Sequence, residues 1–414
     1  MTTIFYETMP VANLIDRDGI SLTYEPSWEQ RASAFPISLT MPLRSGTYGA
    51  EQVMPWLANL LPETHLSEIG QQLKVSPQDI VGLLTRLGRD TAGAFSIGEP
   101  RRDGNNFRVV PDEAALERIL DELPERPFLV GEQGVSMSLA GVQDKLPVYI
   151  AEGGRIAIPV DGTPSTHILK PDIRRLTCSV QNEAFCMTLA RLCELETAEV
   201  TTGRAGKRDY LLVKRYDRIV DAKGTIRRVH QEDFCQLLGL FPSEKYERTG
   251  LGQRGGASLA QMFEALAHYV SPRERLNLLD GVIFNILICN SDSHAKNYSV
   301  LIGAGGTAKL APLYDLMCAA PYKQVDQSLP QQLATKSNAN ELHGQDWRQF
   351  ASAVRLSPMA VGKRLRELSN RVVSKLDEAA SVSQASAGSG SDLTEKLVFL
   401  IRKRCERIVR QLTG

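Results

Sequence analysis

The spacing of apolar positions changes along the chain, and the changes mark three segments. From residue 1 to about 105 the pattern is mixed. Ile20–Tyr24 (ISLTY) alternates as a half-buried strand does, and residues 50–61 repeat with a helical period until Pro62. Residues 69–87 (IGQQLKVSPQDIVGLLTRL) have the form of a helix-turn-helix whose second helix starts at Ser76 and Pro77. From about 106 to 230 the pattern is strand-rich. Residues 147–151 and 155–160 are joined by Glu152-Gly153-Gly154, the composition of a hairpin turn. Residues 166–170 (THILK), 198–202 and 210–216 predict further strands. Between them, residues 183–195 put Phe185, Leu189 and Leu192 on one face of a helix. From 231 to 414 the chain reads as mainly helical. One helix is well marked, with Ser271 as its cap and Pro272 in its first turn. Leu276, Leu279, Ile283, Ile286 and Leu287 form its buried face, and it ends at Asn290. Residues 381–391 (SVSQASAGSGS) predict a flexible linker before a last basic helix over 393–412.

Composition narrows the classes. The 48 basic and 48 acidic residues cancel, unlike the basic footprint of a protein that grips nucleic acid by itself. That balance favours reading 69–87 as a helix pair packed within its segment rather than as a DNA reader. Hydrophobic residues make up 43% of the chain, enough for a sizeable core. The seven cysteines are odd in number, irregular in spacing and form no C-x-x-C, so neither a disulfide framework nor a zinc site is expected. The N-terminus lacks a basic stretch followed by an apolar one, and no apolar run approaches the ~20 residues that span a bilayer. The expectation is a soluble, cytoplasmic protein without membrane partners.

The chemistry concentrates in CNSDSHAKNYSVLI, residues 289–302. It contains Asp292-x-x-x-x-Asn297, the spacing of a protein-kinase catalytic loop, in which the Asp takes the substrate hydroxyl proton and the Asn binds Mg²⁺. A strand over 298–302, a glycine turn at 303–306 and a strand over 309–313 then lead to Tyr314-Asp315. Asp315 thus falls where the main Mg²⁺ ligand belongs, with YDL replacing DFG. His294 is read as structural in preference to a phosphate contact, and Lys296 as a neutraliser of phosphoryl charge. Upstream, Lys170 ends a predicted strand thirteen residues before Glu183, which opens a predicted helix. This mirrors the kinase strand Lys that holds the phosphates and the helix Glu that orients it. Glu183 would otherwise only complement the helix dipole. The expected phosphate-covering segment is not a G-x-G-x-x-G loop but Ser138–Lys145 (SLAGVQDK), whose one glycine is Gly141. Its bland alternative is an ordinary polar loop.

Eight ordered stretches together resemble the HipA family of bacterial Ser/Thr kinase toxins. They are LLTRLGRDTAGA (83–94), SLAGVQDKL (138–146), THILKP (166–171), QNEAFC (181–186), VKRYDR (213–218), HQEDFCQ (230–236), NSDSHAKNYSV (290–300) and LAPLYD (310–315). The resemblance implies an α+β, two-lobed kinase-like fold. An N-terminal α/β subdomain (1–105) and a small-lobe core (106–230) would precede a helical C-lobe (231–414). It implies Asp292 as catalytic residue and Asn297 and Asp315 as Mg²⁺ ligands. ATP would meet Lys170, Ser138, Gly141, Gln143, Lys145 and Lys296, with Tyr216 near the adenine and Gln231 near the nucleotide. His230 and Asp233 look structural, and Lys214 stands where an acidic hinge residue is expected. Ser138 would be autophosphorylated, in a loop that then swings out. The family further implies a type II toxin whose protein target is an aminoacyl-tRNA synthetase. A HipB-like DNA-binding antitoxin would neutralise it and supply the DNA contacts of operon repression. The toxin would then be cytoplasmic, and nucleoid-associated when antitoxin-bound. A small-molecule kinase and a catalytically silent co-repressor are the competing readings.

Overall fold

The computed structural model describes all residues except 17–18, 44–45, 103, 249–254, 388–390 and 413–414. The chain forms two compact units. The first comprises 1–171, 204–242 and 300–308, and the second 172–203, 243–299 and 309–414.

The strands, in chain order, are β1 Thr2–Tyr6, β2 Met9–Asp16, β3 Ile20–Tyr24, β4 Thr47–Tyr48, β5 Phe95–Ile97, β6 Phe107–Val109, β7 Leu146–Ile150, β8 Ile156–Pro159, β9 His167–Pro171, β10 Val200–Ala205, β11 Arg208–Lys214, β12 Arg218–Val220, β13 Ile226–Arg228, β14 His230–Asp233, β15 Ser299–Ile302 and β16 Ala308–Leu310. One sheet of the first unit has the order β4-β3-β2-β1-β5. In β3 the side chains of Ile20, Leu22 and Tyr24 are buried in alternation, as the sequence pattern predicts. Tyr24 ties this sheet to the following loop, its hydroxyl donating to Met41 O (2.6 Å) and accepting from Ile37 N–H (2.7 Å). A second, six-stranded sheet runs β10-β11-β9-β7-β8-β6. The predicted hairpin at 147–160 is β7 and β8, antiparallel with Tyr149 opposite Ala157. Its neighbour β9 carries Lys170 opposite Leu211 of β11.

The predicted helix-turn-helix consists of helices Leu66–Leu73 and Ile80–Leu87. The second does not start at Ser76-Pro77. Asp79 caps it, accepting from Gly82 N–H at 2.8 Å, and Ser76 instead closes a turn onto Gln78.

In the second unit the marked helix is Pro272–Leu287. Leu279, Ile283, Ile286 and Leu287 are buried, each contributing on the order of 1.5–3 kcal/mol. Ser271 occupies the cap position, but its side chain makes no capping bond. Gly281 lets the chain leading to Asp315 come close: a Cβ there would lie 2.9 Å from Leu313 Cδ2. The helix Ser179–Leu192 starts four residues before the predicted 183, so Glu183 lies in its second turn, not its first.

The expected linker at 381–391 is a correction. Residues 381–387 continue the helix Pro358–Ala387, and 388–390 lie outside the described residues. The serines fit because their hydroxyls return to the preceding turn. Ser381 Oγ donates to Asp377 O (3.0 Å) and Ser383 Oγ to Ala379 O (2.8 Å). The last helix is Ser391–Gln411. Among the described residues, no helix is long and apolar enough to cross a membrane.

Candidate active site

The catalytic-loop candidates lie in the second unit. After Leu287 the chain leaves the helix through Cys289, which is left-handed (φ 59°). Asn290 then braces both arms of the site. Its Nδ2 donates to Asn285 Oδ1 (2.9 Å) and to Asp315 O (3.4 Å), and its Oδ1 accepts from Asp292 N–H (3.0 Å). Asp292 O accepts from His294 N–H (2.8 Å) and from Asn297 Nδ2 (2.8 Å). The backbone of Asp292 is therefore fixed while its side chain is 58% exposed. A carboxylate so held is accessible to an acceptor hydroxyl arriving from solvent.

Asn297 is buried with its Nδ2 engaged by Asp292 O, and its amide oxygen is a hard donor of the kind Mg²⁺ takes. Asp315, also left-handed (φ 59°), supplies a carboxylate at the end of the hairpin. Among the described residues no group of three or more His, Cys, Asp or Glu side chains gathers as a metal site. Two oxygen ligands nevertheless suit Mg²⁺, which keeps several waters and shares substrate phosphates. The hairpin itself is fastened by Tyr314, whose hydroxyl donates to Lys296 O (2.7 Å) and lies 2.7 Å from Ser299 Oγ. Lys296 is buried.

His294 is buried, and its ring Nε2 faces the Asp292 side chain. Burial, then the neighbouring Lys245 ammonium, holds its imidazole well below the usual histidine range, against the opposing pull of Asp315. Its Nε2 lies 3.9 Å from Asp292 Oδ1. Tyr246 escaped the sequence reading. Its hydroxyl donates to Asp292 Oδ1, and its ring stands edge-on to His294 with centroids 5.1 Å apart.

The nucleotide candidates lie in the first unit. Ser138 is buried, its Oγ donating to Leu60 O (2.7 Å) and its N–H to Asp90 O (3.0 Å). The loop then turns at Gly141 (φ 109°), whose carbonyl accepts from Glu63 N–H (3.2 Å). Lys145 folds back on this loop, donating to Ala140 O at 2.5 Å. Gln143 donates to Pro171 O (3.1 Å), which sets the loop against the end of β9, one residue from the buried Lys170. Tyr216 donates through its hydroxyl to Gln231 Oε1, and Gln231 Nε2 donates to Asp217 Oδ2 (3.3 Å). One G-x-G-x-x-G does occur in the chain, GLGQRG at 250–255, and residues 250–254 of it lie outside the described residues.

His230 and Asp233 are engaged in packing and capping contacts. His230 packs between Phe35 and Phe95, its Nε2 lying 2.8 Å from Ile37 O, and burial pushes it down to about 4. Asp233 closes a capping box with Gln236. What the sequence did not disclose is the ion network behind them. Arg215, Asp217 and Arg218 turn inward with Asp90 and Arg228, each side chain at most 2% exposed. Burial alone would raise the Asp217 carboxyl, but the Arg215 and Arg218 guanidiniums overcome it and hold it well below the usual carboxylate range.

Comparison with known proteins gives this geometry a family. The HipA N-terminal domain matches residues 2–98, and the HipA-like C-terminal domain matches 137–376, which includes Asp292, Asn297 and Asp315. A protein of Sinorhizobium fredii named as a kinase, Y4mE, is 37% identical over 365 residues, covering 85% of each chain. The serine/threonine-protein kinase toxin HipA of Shewanella oneidensis is 28% identical over 401 residues, 94% of this chain and 91% of that one. A solved structure from Shewanella oneidensis, of HipA with HipB and operator DNA, aligns over 100% of this chain and 98% of that one, with 27% identity and a TM-score of 0.87. The fold is thus mixed α and β of the HipA type, and the chain belongs to the HipA family.

Proposed function

We propose that this chain is the toxin of a type II toxin–antitoxin pair, a kinase that transfers the γ-phosphoryl group of ATP to Ser or Thr of a protein. The observation that carries the reading is the Asp292–Asn297 loop. Its backbone is closed by Asn297 Nδ2 on Asp292 O, with the Asp292 carboxylate left half-exposed. In this reading Asp292 accepts the proton of the acceptor hydroxyl. Asn297 Oδ1 and Asp315 hold Mg²⁺, which neutralises phosphate charge when bound. Lys170 and the Ser138–Lys145 loop meet the phosphates, Lys296 adds positive charge, and Tyr216 and Gln231 border the base and ribose. The three-part division at about 105 and 230 belongs to the same reading.

Ser138 is the proposed autophosphorylation site. Ser138 Oγ donates to Leu60 O, so in this reading modification requires the loop to leave that contact. The named HipA–HipB–operator complex of the structural relative supports a HipB-like antitoxin here, with DNA contacted chiefly through that partner and the operon repressed jointly. The neutral net charge fits this division of labour. The proposed target is a component of translation, an aminoacyl-tRNA synthetase, and the proposed location is the cytoplasm, at the nucleoid when antitoxin-bound.

The test is incubation with γ-labelled ATP and Mg²⁺, alone and with a bacterial lysate. Label on Ser138 and on one lysate protein, both lost in Asp292→Ala, supports the reading. No transfer to any protein by the wild type refutes it.

A further inference from the structure

Tyr246 is announced by no motif, yet it reaches the proposed catalytic carboxylate. Its segment is pinned on both sides. Lys245 O accepts from Ala295 N–H inside the catalytic loop (3.1 Å), and Lys245 Nζ lies 5.4 Å from the Tyr246 ring centroid. Glu247 N–H donates to Pro330 O (3.0 Å), and its carboxylate accepts from Gln332 N–H (2.5 Å). The phenol between these anchors donates to Asp292 Oδ1 while its ring rests edge-on against His294.

A hydroxyl donating to the carboxylate that will take its proton is what an acceptor presents before phosphoryl transfer. A Ser or Thr hydroxyl that delivers its proton to Oδ1 must take the place of the phenol. The tyrosine itself is held by backbone bonds on either side, so this contact is a property of the fold and not of a wandering side chain.

We propose that Tyr246 is a built-in occupant of the acceptor position, standing in for the substrate hydroxyl until a protein acceptor displaces it. The inference rests on the kinase reading above and adds a regulation of that site. Its chemical consequence is the suppression of wasteful hydrolysis. In that side reaction a water oxygen bonds to the γ-phosphorus and the bond to the β-phosphate oxygen breaks. ADP leaves with the electron pair, and a water proton passes to Asp292. With the phenol in place, water has no seat beside Oδ1.

Tyr246→Phe removes one oxygen, about the volume of a water, and keeps the ring on His294. The experiment measures ADP release from ATP and Mg²⁺ without any protein acceptor, in wild type, Tyr246→Phe, Asp292→Asn and the double variant. Melting curves with and without ATP confirm folding and nucleotide binding for each. Removal of a hydrogen bond to a charged group predicts a rise of about tenfold in Tyr246→Phe. The rise must vanish in the double variant. ADP release that is unchanged or slower in a folded, ATP-stabilised Tyr246→Phe overturns the inference and leaves the kinase reading intact. So does a rise that survives Asp292→Asn. A wild type that neither gains stability from ATP nor labels a lysate protein refutes both.

Discussion

Asp217→Ala probes the ion network that holds the first unit together. The Asp217 carboxylate accepts from Arg215 Nε (2.9 Å), Arg215 Nη2 (2.8 Å) and Gly93 N–H (2.8 Å), and lies 2.9 Å from Arg218 Nη1. All five charged side chains are at most 2% exposed. Three guanidiniums face two carboxylates, so the cluster already carries an excess positive charge. Removing Asp217 leaves three cations on Asp90 with no water to screen them. Breaking a buried pair from one side costs about 3–5 kcal/mol, a rise of roughly 10²- to 10⁴-fold in the unfolded population. For a unit of about 200 residues, at about 2–4 °C per kcal/mol, the melting transition falls by roughly 6–20 °C.

Differential scanning calorimetry of the full chain reads this shift, because two units need not melt together. A second variant separates charge from packing. Arg215→Met with Asp217→Leu returns the cluster to its original charge excess and keeps apolar volume, so it recovers part of the loss. A fall of less than about 1 kcal/mol in Asp217→Ala refutes the assignment of the network as a clamp. A double variant at least as unstable as Asp217→Ala refutes the charge argument.

Other outcomes follow from the same structure. Ser138→Ala keeps growth arrest but removes self-inactivation, read by mass spectrometry and a growth assay; unchanged autophosphorylation rules out Ser138 as the sole site. Loss of its bond to Leu60 O costs about 1 kcal/mol. Asn297→Ala raises the Mg²⁺ concentration for half-maximal transfer by roughly 10–100-fold or more, checked by metal titration of labelled-phosphate transfer; an unchanged half-point sinks the ligand assignment. Burial pushes Glu232 up to about 7, so between the ordinary glutamate value and 7 it costs stability as pH rises. Its neighbour His230, pushed down to about 4 by burial, costs stability as pH falls through the same range, and the two slopes oppose. Glu232→Gln therefore unmasks the histidine slope: chemical denaturation from pH 7 to 4.5 gives a steeper loss than in wild type, and an equal or shallower one refutes the pairing.

The scaffold of the proposed catalytic segment was legible because it is local. The helix, the loop and the hairpin to Asp315 fall within one continuous stretch, and each has its own period or turn. The ion network was not, because its partners are far apart in the chain: Arg218 Nη2 meets Asp90 Oδ1 across 128 positions. Charged residues also read as exposed by default. A signal was nevertheless present. Leu211, Val213, Arg215 and Asp217 are all buried, so the period of two in β11 runs straight on into the charged residues beyond it. Tyr246 had no such signal, since one tyrosine in an irregular segment has no period to break. The start of the second N-terminal helix differs from the sequence pattern because two side chains compete for its cap, whereas the Ser271-Pro272 start is as expected. Asp79 caps the second N-terminal helix in place of Ser76, and Ser271 offers no side-chain bond although it sits at the right position.

The five-residue spacing between Asp292 and Asn297 has a structural cause prior to its chemistry. Asn297 Nδ2 and His294 N–H both close on Asp292 O, while Asn290 Oδ1 holds Asp292 N–H from the other side. The short 3₁₀ turn Ala295–Asn297 is the length that returns the amide to that carbonyl, while the Asp292 side chain stays 58% exposed. One inserted residue would rotate the amide off the carbonyl and leave His294 N–H to hold that oxygen without it. The spacing that reads as a kinase motif is therefore also the ring size of a hydrogen-bonded loop. That is why a motif so short can specify geometry, and why its chance occurrences elsewhere, without Asn290 before it and the Tyr314 hairpin behind it, do not.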